Sequence, residues 1–276
     1  MVFCHCCVTR AIATHKSRDS SVEHPSHVSE RTSCQTYRYQ NRQCISMASK
    51  SYESGFKRYY GNRLDNISNE TTEEDIKRIY DDWAGEYEES VVVAAGGIYY
   101  KPFAESFDAT VKKLLKDMAK DQIKIIDVAA GTGLIGVELQ KLGYANLHAL
   151  DISQEMLNEA KKKNVYKKLI CAALNDQRIP EIETGEFDAL VCGGTMLTGH
   201  IRSSALVEMI RMVKIGGLIC FNIRDGQLVD YQGKISELET LGKWKKVSKT
   251  VIPFFESDGM PKETMVFVYK VLDVII

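Results

Sequence analysis

No apolar run in this chain is long enough to cross a bilayer as a helix. The nearest approach, VVVAAGGIYY at residues 91–100, is short and broken by glycine. There is no basic excess either. Lys and Arg number 36 against 37 Asp and Glu, for a formal net charge of −1. The electrostatic footprint of a nucleic-acid-binding chain is therefore missing. No internal repeat and no low-complexity run is found, which argues against a repeat architecture. No signal peptide is seen, so the triplets starting at Asn66 and Asn69 that fit N-x-[ST] are read as chance. A second cysteine pair is lacking as well. Cys4 and Cys7 form a C-x-x-C, but Cys34 and Cys44 are far apart and irregular, so no metal site is expected.

What remains is ordinary in composition. With 276 residues, 44% hydrophobic and 26% charged, the chain can bury a large α/β core and still carry an extension. Cys171, Cys192 and Cys220 each lie in or beside an apolar, strand-like run. Single cysteines on separate buried strands act as small hydrophobes, which suits a reducing, cytoplasmic setting.

Residues 1–50 differ from the rest. They are rich in Ser, Thr, Arg, His and Cys, and poor in aliphatics. They read as a disordered N-terminal extension, because little apolar burial is available to offset ordering entropy. The segment is basic and acid-poor, so a mitochondrial transit peptide is also open. MASKSYESGF, beginning at Met47, has the look of a natural start. Residues 51–276 read as a single domain with a helical lid over about 70–120.

Periodicity supports that division. TTEEDIKRIYDDWAGEYEE begins with a capping-box spacing from Thr71 to Glu74 and carries Ile76, Ile79, Tyr80, Trp83 and Tyr87 at helical intervals. FAESFDATVKKLLKDM is a second amphipathic helix. From Ile123 onward, short apolar runs alternate with helices: IKIIDVAA, GLIGVELQKLG, NLHALDI, SQEMLNEAKKKN, KKLICAAL, FDALVCGG, SSALVEMIRMVK and LICFNIR. The last of these helices reads as stopping at Gly216-Gly217. WKKVSKTVIPFF and ETMVFVYKVLDV then form a β-rich pair across a turn. The expected fold is α/β: a doubly wound, Rossmann-like seven-stranded sheet, mostly parallel, with an antiparallel C-terminal hairpin.

In such a sheet the ligand lies beyond the carboxyl ends of the strands. The first loop there is DVAAGTG. Gly131 and Gly133 permit unusual backbone angles and close approach of a ligand. The fit of GTGLIG to G-x-G-x-x-G is weak evidence for any one cofactor. Asp127 at the mouth of the loop would repel a pyrophosphate and favour an ammonium or sulfonium charge. S-adenosyl-L-methionine carries both charges and no phosphate. A structural aspartate capping the turn is the alternative. Asp151, ending the next strand, is placed to accept from both hydroxyls of a ribose, with Ile152 and Met156 able to pack on adenine.

Taken together, D-x-x-x-G-x-G, then D-[IVL]-S-x-x-M-L, resembles the class I S-adenosylmethionine-dependent methyltransferases. YDDWAGEYE, FDALVCGGTM, GGLICF and the final hairpin follow in family order, from about Ile76 to the C-terminus. YDDWAGEYE, AAGTGLIGVEL, LTGHI and LGKWKKV are more closely similar to the methyltransferase-like proteins of the Williams–Beuren chromosome region. The resemblance implies that Asp127, Gly131, Thr132 and Gly133 line the methionine part of the cofactor. It puts Asp151 on the ribose, Trp83 and Tyr87 over the cofactor as a lid, and Lys101 beside its carboxylate. Gly193 and Gly194 would leave room for the methyl group and its acceptor. Two positions depart from the family. Ala129 stands where glycine is common, and Ala172-Ala173 stand where an acid often meets adenine, leaving Ala173 backbone, Asn175 or Asp176 to serve.

Methyl transfer from a sulfonium needs alignment and exclusion of water, and needs a base only where the acceptor loses a proton. His200 is the candidate base; packing or capping at the next helix is its other possible role. Arg224 would face an acidic acceptor, or pair with Asp225 or another surface acid. Glu86, Glu88 and Glu89 read as a solvated helix face. The expected function is methyl transfer to a small-molecule acceptor, since residues 193–202 leave little room for a docking insertion. No N-P-P-Y-type motif points to nucleic acid, and oligomeric state leaves no trace. Two alternatives stand beside this: a cofactor-binding regulatory protein without turnover, and an NAD-dependent oxidoreductase.

Overall fold

Seven strands form one sheet in the order β3-β2-β1-β4-β5-β7-β6 in the computed structural model, which describes residues 57–224 and 226–274. The expectations for residues 1–50, including Cys4, Cys7 and the start at Met47, lie outside the described residues, as does Asp225. The strands are β1 (Lys124–Val128), β2 (Asn146–Asp151), β3 (Lys168–Cys171), β4 (Phe187–Cys192), β5 (Val213–Ile223), β6 (Trp244–Pro253) and β7 (Glu263–Val271). β3, β2, β1, β4 and β5 pair in parallel, while β7 runs antiparallel to both β5 and β6. This is the expected Rossmann-like sheet with its antiparallel closing hairpin. Pro253 is tolerated because β6 is an edge strand.

The chain starts in the middle of the sheet, steps outward to β3, and returns beside β1 as β4. That reversal makes a switch point at the carboxyl ends of β1 and β4, where a crevice must open. The two-residue period of the strands decides which face each side chain serves. Ile125, Ala189 and Val191 join Phe103, Phe107 and Val111 of α2 (Tyr100–Leu114) and Leu139 of α3 (Leu134–Lys141). Ile126, Val128 and Leu190 join Leu206 and Ile210 of α5 (Leu206–Met212) and Ile235 and Leu238 of α6 (Leu228–Thr240) on the opposite face. α4 (Gln154–Lys162) packs on β2, β3 and α1 (Glu73–Trp83).

Three local readings change. The capping residue of α1 is Thr72, one position later than expected: its hydroxyl accepts from the Asp75 N–H at 3.1 Å. Thr71 instead accepts from the Ser68 N–H, closing the preceding turn. α5 stops at Met212 rather than at Gly216-Gly217. Val213 already pairs with Phe187, and the next pair is Ala189 with Leu218, so the glycines form a bulge inside β5. Gly216, at φ +89°, supplies the backbone angle this needs. Two further elements had no counterpart in the sequence reading: α6 and a π-helical turn over Glu89–Ala94.

Segment 96–98, just before α2, is tied to the end of β6. Ile98 donates its N–H to the Phe254 carbonyl at 3.0 Å, and Glu256 donates to Gly96 at 2.9 Å. The segment leading into α2 is thereby fixed against the C-terminal hairpin. Phe103 anchors the same layer and is fully buried. Phe103→Ala is expected to cost about 3–5 kcal/mol through lost burial and an unfilled cavity, measured by denaturant unfolding.

Candidate functional site

A cavity of about 1140 Å³, open to solvent, occupies the crevice at the switch point. Residues 129–132 after β1, Leu150 to Ile152 at the end of β2, Ala172 to Asn175 after β3 and Gly193 to Thr195 after β4 form its floor. Ile76, Tyr80 and Tyr87 roof it, and residues 199–202 close one side.

Asp151 holds the centre of the floor. Its Oδ2 accepts the Gly131 N–H at 2.8 Å and its Oδ1 accepts the Ser153 N–H at 2.9 Å. Each oxygen keeps a lone pair for a ligand hydroxyl. Burial pushes this carboxyl up to about 6, against the pull of the two amides. Ser153 also N-caps α4, accepting from Met156 N–H at 3.1 Å, and places Met156 against the cavity.

Asp127 lies beneath the floor, buried to 1% exposure. Its Oδ2 accepts the Tyr166 hydroxyl at 2.6 Å, and its Oδ1 has no partner. Burial drives its pKa up to about 7, with Tyr166 pulling it down and Asp151 pushing it further up. Thr132 Oγ1, one residue past Gly131, is likewise buried without a partner. Thr132 lines the cavity, so its hydroxyl is open to a donor-bearing ligand, whereas Asp127 would act on a cationic ligand through its charge from below the floor.

Of the residues expected to form the site, Tyr87, Gly131, Thr132, Asp151, Ile152, Met156, Ala173, Gly193 and His200 all line the cavity. Four expectations need correction. Lys101 is 71% exposed at its side chain, 3.8 Å from Glu105, and lines a separate depression with Glu138 and Lys141. It sits on the outer face of α2 because the inner face is taken by Phe103 and Phe107. Trp83 does not cover the cavity; it is buried against Tyr60, Tyr80 and Tyr87, and its indole N–H donates to Ser90 at 3.2 Å. Asp127 acts from below rather than from the wall. Gly133 is also below: a Cβ there would lie 2.9 Å from the Tyr166 ring. Gly136, at the start of α3, is crowded by the same tyrosine.

Past β3, Asn175 lines the cavity, but its amide donates to Glu73 at 2.8 Å and its carbonyl accepts from Gln177 N–H. Asp176 accepts from Gln177 at 3.0 Å. Backbone groups around Ala173 are left for a base edge. Glu86 and Glu88, read as a solvated face, form ion pairs with Arg63 and Lys163, both at 2.6 Å.

His200 reaches the cavity with both nitrogens engaged. Nδ1 is 3.3 Å from the Thr198 carbonyl, which can only accept, so Nδ1 carries the proton. Nε2 then accepts the Tyr80 hydroxyl at 2.9 Å. Burial pushes the histidine down to about 4, leaving it neutral near pH 7. Tyr80 was legible only as an apolar helix position. Tyr166 belongs to no motif and had no sequence signal.

The comparisons agree with this geometry. A family model described as "Methyltransferase domain" matches residues 125–217. The seven-stranded fold and the matched residues resemble those of the class I S-adenosylmethionine-dependent methyltransferases. It is similar to human Methyltransferase-like protein 27, 30% identical over 171 residues, covering 60% of this chain and 66% of that protein. It is also similar to a ubiquinone/menaquinone biosynthesis C-methyltransferase of Rickettsia typhi, 31% identical over 120 residues, or 39% of this chain and 48% of that one. The chain thus spans just under two thirds of the first relative and about half of the second. Among solved structures, magnesium protoporphyrin IX methyltransferase from Synechocystis with bound S-adenosylmethionine shares the fold. Its TM-score is 0.52 at 12% identity, over 73% of this chain and 97% of that one.

Two outcomes follow. Ala129 has φ +52°, a left-handed angle that costs a residue bearing Cβ. Ala129→Gly should leave cofactor binding intact and raise stability by about 0.5–1 kcal/mol after the added chain entropy is counted, by chemical denaturation. For Asp127 the folded pKa lies above the unfolded one, so its stabilising contribution is present below about pH 4 and lost as pH climbs through about 7. Unliganded wild type should lose more stability than Asp127→Asn between about pH 5 and about pH 8, read from thermal melts.

Proposed function

We propose that this chain transfers a methyl group from S-adenosylmethionine to a small-molecule acceptor. The Asp151 carboxylate carries the reading: it is clamped by two backbone amides and keeps its outer lone pairs on the cavity. The residues fit the cofactor. Asp151 would hold the ribose hydroxyls, Ile152 and Met156 the adenine faces, and Gly131 and Thr132 the methionine end above Asp127. When bound, the cofactor supplies a methyl group on a positively charged sulfur, with a neutral leaving group.

The chain's own residues supply the rest. The buried Asp127 oxygen favours the cationic end over a pyrophosphate, which separates this reading from an NAD enzyme. Tyr80, Tyr87 and Ile76 exclude water from the roof, while Ile135 packs against Gly193 and the Tyr99 hydroxyl against Gly194, so the room expected beside these glycines is taken by those two side chains. His200, neutral and with its Nε2 turned to Tyr80, is the group able to take a proton.

An acceptor of small size is supported by residues 199–202, which fold onto the cavity and leave no broad docking face there. Among the described residues, no helix is long and apolar enough to cross a membrane, and no group of His, Cys, Asp and Glu is placed to hold a metal. The free thiols of buried Cys192 and Cys220 support a reducing, cytoplasmic setting.

Calorimetry tests the reading. S-adenosylmethionine and S-adenosylhomocysteine should bind and NAD should not. Asp151→Ala should weaken binding by about 100-fold or more, as expected for two hydrogen bonds to a charged acceptor. Lys101→Ala should leave affinity unchanged. Binding of NAD alone would overturn the proposal. Binding of S-adenosylmethionine with no turnover on any acceptor pool would favour a regulatory protein.

A further inference from the structure

Behind the roof of the cofactor cavity lies a second chamber. It is a half-open cleft, about 440 Å³ when the open solvent at its mouth is counted with it. Tyr80, Tyr87, Tyr99 and Gly194 line both spaces, so the partition is one side chain thick. Gly194 belongs to the loop after β4, the point at which the acceptor must meet the methyl group.

The chamber walls are rings held edge to face. Tyr60 meets Trp83 at 5.2 Å between centroids, Trp83 meets Tyr87 at 5.0 Å, and Tyr99 meets Phe254 at 4.8 Å. Such rigid faces select a flat apolar guest. A cage of aromatic rings would ordinarily also suit an ammonium. Here no carboxylate is among the lining residues, and Arg224 is the charged residue there. Its charge is felt at both Tyr60 and His200, disfavouring positive charge on the histidine. Arg224 disfavours an ammonium guest at its end of the chamber, while the charge of Asp151 is felt at Tyr80 and Tyr87 at the other.

One polar group stands where the two spaces meet. The Tyr80 ring borders both, and its hydroxyl donates to His200 Nε2 at 2.9 Å. Its oxygen can still accept a hydrogen bond from a guest.

We propose that this chamber binds the methyl acceptor, and that the acceptor is a planar aromatic hydroxyl compound whose O–H donates to Tyr80. The inference rests on the methyltransferase reading above. In the step it implies, the acceptor oxygen bonds to the methyl carbon and the carbon–sulfur electron pair stays on sulfur. The acceptor proton passes to the Tyr80 oxygen as the Tyr80 proton passes to His200 Nε2. His200 is then the base and Tyr80 the relay between it and the acceptor.

Trp83 reports on occupancy. The chain has 2 tryptophans, and the other, Trp244, is buried against Tyr269 on β7, outside the chamber lining. The full chain saturated with S-adenosylhomocysteine is titrated with 4-nitrophenol, nitrobenzene and 4-nitrobenzylammonium while tryptophan emission is followed. Saturable quenching by 4-nitrophenol is expected, at least about tenfold tighter than by the ammonium compound. Tyr80→Phe should weaken 4-nitrophenol by about fivefold and leave nitrobenzene unchanged, as expected for one lost hydrogen bond. Leu64→Phe and Leu197→Phe, two independent ways of narrowing the chamber, should weaken all the probes without altering calorimetric S-adenosylhomocysteine affinity. The proposal is overturned if the cofactor product binds but quenching does not saturate. Equal or tighter binding of the ammonium compound, or indifference of 4-nitrophenol to Tyr80→Phe, overturns it too. Failure of S-adenosylhomocysteine itself to bind would instead sink the cofactor reading, and the same titrations on unliganded protein would still judge the chamber.

Discussion

The hydrogen bond from Tyr166 to Asp127 organises the ground beneath the cofactor cavity. Tyr166 lies just before β3, and its ring runs under the β1–α3 loop to reach a carboxylate on β1. That path exists because Gly133 and Gly136 have no side chain; a Cβ at Gly133 would press on the ring. The G-x-G-x-x-G pattern therefore has a local explanation. Its second and third glycines make room for a tyrosine, and only Gly131, at φ +55° with open space around it, faces the cavity itself. The ring also fixes one Asp127 oxygen, which leaves the other as the free acceptor.

The roof is tied to this floor through Ser153. Its N–H goes to Asp151, its hydroxyl oxygen caps α4, and its hydroxyl proton goes to Asp81 on α1 at 2.6 Å. Asp81 also takes the Glu155 N–H at 3.3 Å and the Lys77 ammonium at 2.7 Å. One serine thus joins the lid helix to the carboxylate proposed to hold the ribose. With α1 docked at Asp81, the helical period turns Tyr80 toward the cavity and Trp83 toward Tyr60 and the hairpin. This is why the tryptophan walls the second chamber rather than covering the first.

Much of the framework was legible in the sequence. Alternating short strands and helices gave the parallel sheet, and the doubled β-rich tail gave the hairpin. Asp151 and Gly131 were legible because a loop that ends a strand must present its backbone and its acid to the crevice. Other features depended on tertiary contacts that no local pattern encodes. Lys101 was assigned by position alone, and α2 turned it outward once Phe103 and Phe107 claimed the sheet. Helix α6, with Gly233 in its middle, has only a weak apolar stripe and gave little periodic signal. Ala129 is legible as an alanine where glycine is common, but the left-handed backbone angle that makes it costly is not.

Asp127 and Asp151 are both deeply buried, and the charge of Asp151 makes ionisation of Asp127 harder. Their hydrogen bonds separate them. Asp151 receives two amide N–H donors, which stabilise its charged form, and its pKa rises only to about 6. Asp127, more strongly penalised by burial, has the Tyr166 phenol and a lesser pull from the Gly136 backbone, and rises to about 7. Near neutrality the first is largely ionised and the second stands close to balance. A ligand that brings positive charge to Asp127 would tip it to the carboxylate, and a neutral or anionic one would not. On the proposed function, that difference would bias the loop, which a dinucleotide pattern also matches, toward a cationic cofactor by way of a proton.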